Sequence, residues 1–102
     1  MSLPDRLARS IEVATPDLIE LRRDLHSSPE LSWLEERTTD VVASWMDKTG
    51  ISYERFDGTG LMADIGPAEG PIVALRADLD GLPVDDTSQD PWKSSVPGVS
   101  HS

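Results

Sequence analysis

Two carboxylates two residues apart, Asp78 and Asp80, close an apolar, β-branched run: Pro71-Ile72-Val73-Ala74-Leu75-Arg76-Ala77-Asp78-Leu79-Asp80-Gly81-Leu82-Pro83. Arg76 precedes them, and Asp85 and Asp86 follow. A buried strand that ends in charged side chains delivers them to the C-terminal edge of a sheet, where open α/β sheets place their chemistry. Asp and Gly are also ordinary turn residues, so a strand followed by a polar turn explains the same letters. Carboxylates alone suit Mg²⁺ or Ca²⁺, and Asp78, Asp80, Asp85 and Asp86 are the candidates. Their spacing fits no EF-hand loop, and solvated loop charge is the competing account. The two histidines are His26 and His101. His26 falls at the end of a helical pattern, where a cation is favourable. His101 falls at the end of the sequence, where solvation explains it as well as a site does.

The elements that must position these groups come earlier. Residues 3–26 read as helix in two pieces. Leu3, Leu7, Ile11 and Ala14 form one apolar stripe. Thr15-Pro16-Asp17 then offers an N-cap, a Pro at the first helical position and an early acid. Leu18, Leu21 and Leu25 continue the stripe, and Ser27-Ser28-Pro29 ends it. A second helix is expected from Trp33 to Thr49. Ser32 and Glu35 stand at capping-box spacing, and Leu34, Thr38, Val41, Val42, Trp45 and Met46 share a face. Its Trp and Met side chains read as core, and Gly50 reads as its stop.

From Ile51 the period shortens. Ile51, Tyr53 and Phe56 alternate as in a strand, Asp57-Gly58-Thr59-Gly60 is a turn, and Leu61 to Ile65 is a second strand. The close spacing predicts an antiparallel pair, to which Ile72–Ala77 adds a third strand. Two helices on one face of such a sheet leave the other face bare, whereas a nearly all-apolar third strand needs cover on both. By pattern alone the domain looks unfinished.

The formal charge is −10, from 19 acidic and 9 basic residues among 102. That surface repels nucleic acid and anionic membranes. Hydrophobic residues make up 37% and charged residues 27%, the balance of a globular segment rather than a disordered one. No cysteine is present, so neither disulfides nor thiol ligands arise within these residues. No signal-peptide pattern and no bilayer-length apolar run is seen, and a cytoplasmic protein is the expectation.

Asp78-x-Asp80-Gly81 resembles the start of the D-x-D-G-T motif of haloacid-dehalogenase phosphotransferases, with a nucleophilic and an acid/base Asp around Mg²⁺. Here Leu82 stands at the Thr position, and the motif lies late in the chain. A non-catalytic α/β binding or structural module is a further alternative. A broader likeness covers nearly the whole chain. Arg22-Arg23-Asp24-Leu25-His26, Pro29-Glu30-Leu31-Ser32 and Glu35-Glu36-Arg37-Thr38 resemble the opening of the metal-dependent aminoacylase/carboxypeptidase family. That family includes hippurate hydrolase, N-acyl-amino-acid amidohydrolases and indole-acetyl-amino-acid hydrolases. Gly58-Thr59-Gly60, Ala74 to Pro83 and Val96-Pro97-Gly98-Val99-Ser100-His101 follow in the family's order.

The resemblance implies an α/β fold: the N-terminal portion, two helices and about three strands, of a zinc-exopeptidase-like catalytic domain. A smaller dimerisation domain, inserted in the family, is absent from these 102 residues. It implies a parent enzyme, a homo-dimer or higher, that hydrolyses the amide bond of N-acyl amino acids or related small amides. Two divalent ions (Zn, Mn, Co or Ni) would polarise the carbonyl and activate water while a Glu moves the proton. In the family the segment after Pro-Gly-Val reads H-x-C-G-H-D, and its Cys and second His bind the metal pair. This chain reaches His101 and Ser102, so no metal ligand is assigned within it, and alone it is expected to be inert. Asp78 corresponds to the carboxylate that orients a metal-binding His. Arg76 and Asp80 are candidates to lie near the metals, Arg76 as a charge partner and Asp80 as its partner or a turn former. His101 is a candidate to line the site, and His26 reads as a helix-end residue.

Overall fold

Ser2 opens the first element with a complete capping box. Its hydroxyl accepts from the Asp5 amide at 3.3 Å, and the Asp5 carboxylate accepts from the Ser2 amide at 3.3 Å. The fold is that of a computed structural model that describes residues 1–101. Helix α1 spans Leu3–Ser27 as one piece of 25 residues, not two. It runs through Pro16, and Thr15, the expected N-cap, instead turns its hydroxyl back onto the Ile11 carbonyl at 2.6 Å. No residue of α1 is buried; Leu3, Leu7 and Ile11 of the stripe are exposed.

Helix α2 spans Glu36–Thr49, three residues later than the pattern predicts. The Ser32–Glu35 capping box does not form: Glu35 is the N-cap residue and caps with no side-chain bond. Trp33 instead takes φ 70°, left-handed and 83% exposed, and the chain turns there. The orphan amides of the first turn are satisfied from outside the helix. Glu30 Oε1 accepts from the Thr38 amide at 2.6 Å and the Thr38 hydroxyl at 2.7 Å, and Oε2 accepts from the Arg37 amide at 3.1 Å. Gly50, at φ 72°, ends the helix as expected. Trp45 and Met46 are half-buried rather than core.

Strands β1 (Tyr53–Arg55) and β2 (Leu61–Ala63) pair antiparallel, with Tyr53 opposite Ala63 and Arg55 opposite Leu61. Gly60 (φ 87°) closes the turn by bonding Phe56, and a Cβ there would lie 3.2 Å from the Phe56 ring. The third strand is a correction. Ile72–Ala77 joins no sheet among the described residues, and Ile72, Val73 and Leu75 are 92%, 87% and 99% exposed. A two-stranded ribbon offers such a run neither a paired edge nor a covering layer, so nothing in this stretch can hold it.

Polar ties connect the parts. Arg37 bonds both oxygens of Asp24, at 2.8 and 3.0 Å, joining α2 to α1. Arg55 meets Asp40 at 2.7 Å, joining β1 to α2. The Thr39 hydroxyl donates to the Glu35 carbonyl at 2.6 Å and accepts from the Gly60 amide at 2.9 Å. The buried Glu35 carboxylate accepts from the Thr59 hydroxyl at 2.7 Å. Glu35, Thr39 and the Gly-Thr-Gly turn thus form one clamp between helix and hairpin. The apolar contribution is small: Ala43 is the one buried hydrophobic side chain among the described residues.

Glu30→Ala leaves the Arg37 and Thr38 amides without their acceptor, and should lower the unfolding free energy by about 1–3 kcal/mol. Leu75→Lys, at a fully exposed side chain, should change it by less than about 0.5 kcal/mol. Urea denaturation followed by helical circular dichroism checks both.

Candidate functional site

The acidic run and the C-terminal loop meet at Gly81. Its amide donates to the Glu30 carbonyl at 2.7 Å, and Leu31 and Gly81 form a parallel bridge. Leu82 and Ser100 exchange backbone hydrogen bonds at 2.7 and 3.0 Å. A Cβ on Gly81 would lie 3.1 Å from the Pro29 side chain and 3.2 Å from both the Ser100 carbonyl and the Val99 side chain. Only glycine lets the three segments approach this closely.

Around this junction Arg22, Leu25, His26, Thr38, Asp78, Leu79 and His101 line a cleft of about 190 Å³. Asp78 and His101, 23 residues apart in sequence, come together there because Gly81 and Ser100 sit side by side. The His101 Nε2 is buried without a hydrogen-bond partner. Burial, then the neighbouring His26, push its pKa below the ordinary 6.5, against the pull of the Asp80 carbonyl and carboxylate. A neutral imidazole is therefore favoured at neutral pH, which suits a group that accepts a hydrogen bond or a proton. His101 is half-buried, and its ring stands 6.5 Å from that of His26 in the cleft wall.

The other candidates are placed as follows. Asp78 lines the cleft but is exposed, and its carboxylate accepts from Arg76 at 2.8 Å. It is not the buried strand-end acid the pattern suggests, because the strand is not formed. Arg76 is the charge partner expected of it, and its contact is Asp78 rather than Asp80. Asp80 leads into the Gly81 junction and faces His101. His26 lies in the last turn of α1, as expected, and its Nε2 is 3.1 Å from Asp86 Oδ2. The sequence reading missed this pair, since nothing local links residues 60 positions apart.

The four-carboxylate cation site is also corrected. Asp85 accepts from the Gly98 amide, Asp86 is committed to His26 and two amides, and Asp78 is held by Arg76. No three His, Cys, Asp or Glu groups among the described residues converge as metal donors. The residues described here do not fit a metal pair.

No family model matches the chain. A Rhodococcus jostii protein bearing the name glutamate–cysteine ligase 2-3 is 50% identical over 93 residues, which are 90% of this chain and 12% of that protein. The aligned part is so small a share that the ligase name assigns nothing to these residues. The N-acetylcysteine deacetylase of Bacillus subtilis is 41% identical over 87 residues, covering 82% of this chain and 23% of the deacetylase. In three dimensions the chain resembles the Bacillus subtilis YXEP protein, described as a dinuclear metal binding peptidase from the M20 family. The TM-score is 0.81 at 38% identity, over 88% of this chain and 26% of YXEP. The chain is thus similar to a segment of amidohydrolases and peptidases of this kind. It spans about a quarter or less of the length of these relatives. The phosphotransferase reading falls with this match: the Asp78-x-Asp80-Gly81 run is part of a peptidase-like fold.

Two outcomes follow from this geometry. Gly81→Ala forces a methyl group against Pro29, Val99 and the Ser100 carbonyl, and should cost about 1–3 kcal/mol in urea unfolding. The Asp86 carboxyl is held well below its ordinary 3.8, first by the amides of Ser94 and Ser88. Burial opposes the shift at Glu30, but the Thr38 and Arg37 hydrogen bonds outweigh it and keep that carboxyl below 4.5. Both are depressed acids, so each contributes stability that is present above its ordinary value and lost as pH falls through its folded one. Thermal midpoints should hold steady above pH ~5 and decline below pH ~4. The paired variant Glu30→Gln/Asp86→Asn should be less stable at neutral pH and show a flatter decline.

Proposed function

We propose that these residues are the N-terminal part of the catalytic domain of a metal-dependent amidohydrolase. The parent would cleave the amide bond of N-acyl amino acids or related small amides. The observation that carries this is the fold match to the dinuclear peptidase, together with the meeting of Asp78 and His101 at one cleft. The deacetylase relative supports an N-acyl amino acid as the substrate class. In this reading the divalent metals are held by side chains beyond the described residues. A smaller dimerisation domain is inserted elsewhere in the parent.

Within the cleft, Asp78 acts as an orienting carboxylate for an imidazole, with Arg76 as its hydrogen-bonded charge partner. His101, neutral and with a free Nε2, forms part of the wall beside it. Among the described residues no helix is long and apolar enough to cross a membrane. The acidic surface fits a protein that acts on small molecules rather than on nucleic acid. The reading includes a cytoplasmic parent that works as a homo-dimer or larger assembly.

The test uses the full-length parent. It should hydrolyse N-acetyl-L-methionine or hippurate, lose that activity on chelation and regain it with Mn²⁺ or Zn²⁺, while the 102-residue chain alone does neither. Asp78→Ala in the parent should weaken metal affinity by about 10–100-fold. Unchanged affinity, measured by competition with a metallochromic chelator, rules out the orienting role. A parent with no hydrolysis of any N-acyl amino acid overturns the assignment.

A further inference from the structure

Asp86 is not among the residues that line the cleft, yet the stretch that brings His101 there is built around it. Its side chain is only 10% exposed. Oδ1 accepts from the Ser88 amide at 2.9 Å, while Oδ2 accepts from the Ser94 amide at 2.8 Å and meets His26 Nε2 at 3.1 Å. Ser94 passes the constraint on. Its hydroxyl donates to the Val99 carbonyl at 2.6 Å and the Val96 carbonyl at 3.1 Å. Ser95 bonds the Ser27 carbonyl through both its amide (2.9 Å) and its hydroxyl (2.7 Å), pinning the loop to the end of α1. Gly98 bonds Asp85, and the Ser100 hydroxyl bonds the Val84 carbonyl. Residues 82–100 therefore form a loop closed at its neck by Leu82 and Ser100, with the Asp86 carboxylate as its interior acceptor. His101 is the first residue past that neck.

We propose that Asp86 is a positioning residue for the cleft: through Ser94 and His26 it sets where His101 stands relative to Asp78. The role rests on the amidohydrolase reading of the cleft. Among the described residues, the groups bonded to the hub are the amides of Ser88 and Ser94 and the imidazole of His26. An Asn at 86 has nearly the same shape, but one of its two acceptor oxygens becomes an NH₂. Whichever way the amide is turned, that NH₂ faces a backbone N–H, Ser88 on one side or Ser94 on the other. One end of the loop must let go. A displacement on the order of 1 Å at a reacting group is enough to lower a rate a hundredfold without changing what the enzyme binds.

The experiment compares the full-length parent with its Asp86→Asn variant, both well below their unfolding midpoints, with N-acetyl-L-methionine as substrate. The expected result is a kcat lower by about 10–100-fold with KM changed less than about twofold. Hydrogen exchange read by mass spectrometry should rise in peptides covering residues 94–101 and stay unchanged at residues 53–63. Arg55→Ala, which breaks only the exposed pair with Asp40, serves as a control for general destabilisation and should leave kcat as it is. Hydrolysis by the parent with an unaltered kcat in Asp86→Asn overturns the positioning role alone. A fall in kcat with no change of exchange at 94–101 also overturns it, because the loop would not be the route. A parent that hydrolyses no N-acyl amino acid overturns the functional reading, and the role with it.

Discussion

The junction of α2 with the acidic run depends on one residue. The Glu30 side chain holds the first turn of α2 through three donors, and its main-chain carbonyl holds the Gly81 amide. A carboxylate placed at a helix N-terminus is favourable both as an acceptor and against the helix dipole. Here it also fixes α2 relative to the stretch that carries Asp78 and Asp80. Pro29 and Leu31 on either side take part in the same junction, one against Gly81 and the other bridged to it. The Pro-Glu-Leu motif is therefore a joint in the fold rather than a set of reacting groups.

The same logic extends to the other motifs. Glu35 and Thr39 grip the Gly58-Thr59-Gly60 turn, and Asp86 grips the loop that ends in His101. Directed hydrogen bonds, not apolar burial, set the geometry of this segment. Apolar burial normally dominates folding free energy, and here it is largely missing, with Ile72, Val73 and Leu75 standing in solvent. In the proposed parent a larger sheet would cover this bare run. The match to about a quarter of a dinuclear peptidase says the same in another way.

Much of this was legible in the letters, and the misses share a cause. Both helices follow from the spacing of Leu and Val, Gly50 from its place after the last turn, and the hairpin from the Asp-Gly-Thr-Gly cluster. The pattern places the N-terminus of α2 too early because Ser32 and Glu35 fit a local cap, while the real acceptor, Glu30, reaches the helix only after the chain has turned at Trp33. The Thr15-Pro16-Asp17 stretch does not break the helix, and the Thr15 hydroxyl bonds back within it instead of capping a new one. The apolar, β-branched run predicts a third strand, but a strand needs a neighbour, and the described residues contain none for it. Asp78 lost its expected burial for the same reason. The His26–Asp86 pair and the approach of His101 to Asp78 are products of tertiary structure, with no periodic trace.

The central proposal is that this chain is the N-terminal part of a larger metal-dependent amidohydrolase. The most direct measurement is the intact mass of the protein as its source produces it. The account predicts a mass roughly four times the 11.1 kDa of these residues, in keeping with a segment that covers 26% of its structural relative. A product of 11.1 kDa, folded and stable with Ile72–Leu75 in solvent, would contradict it.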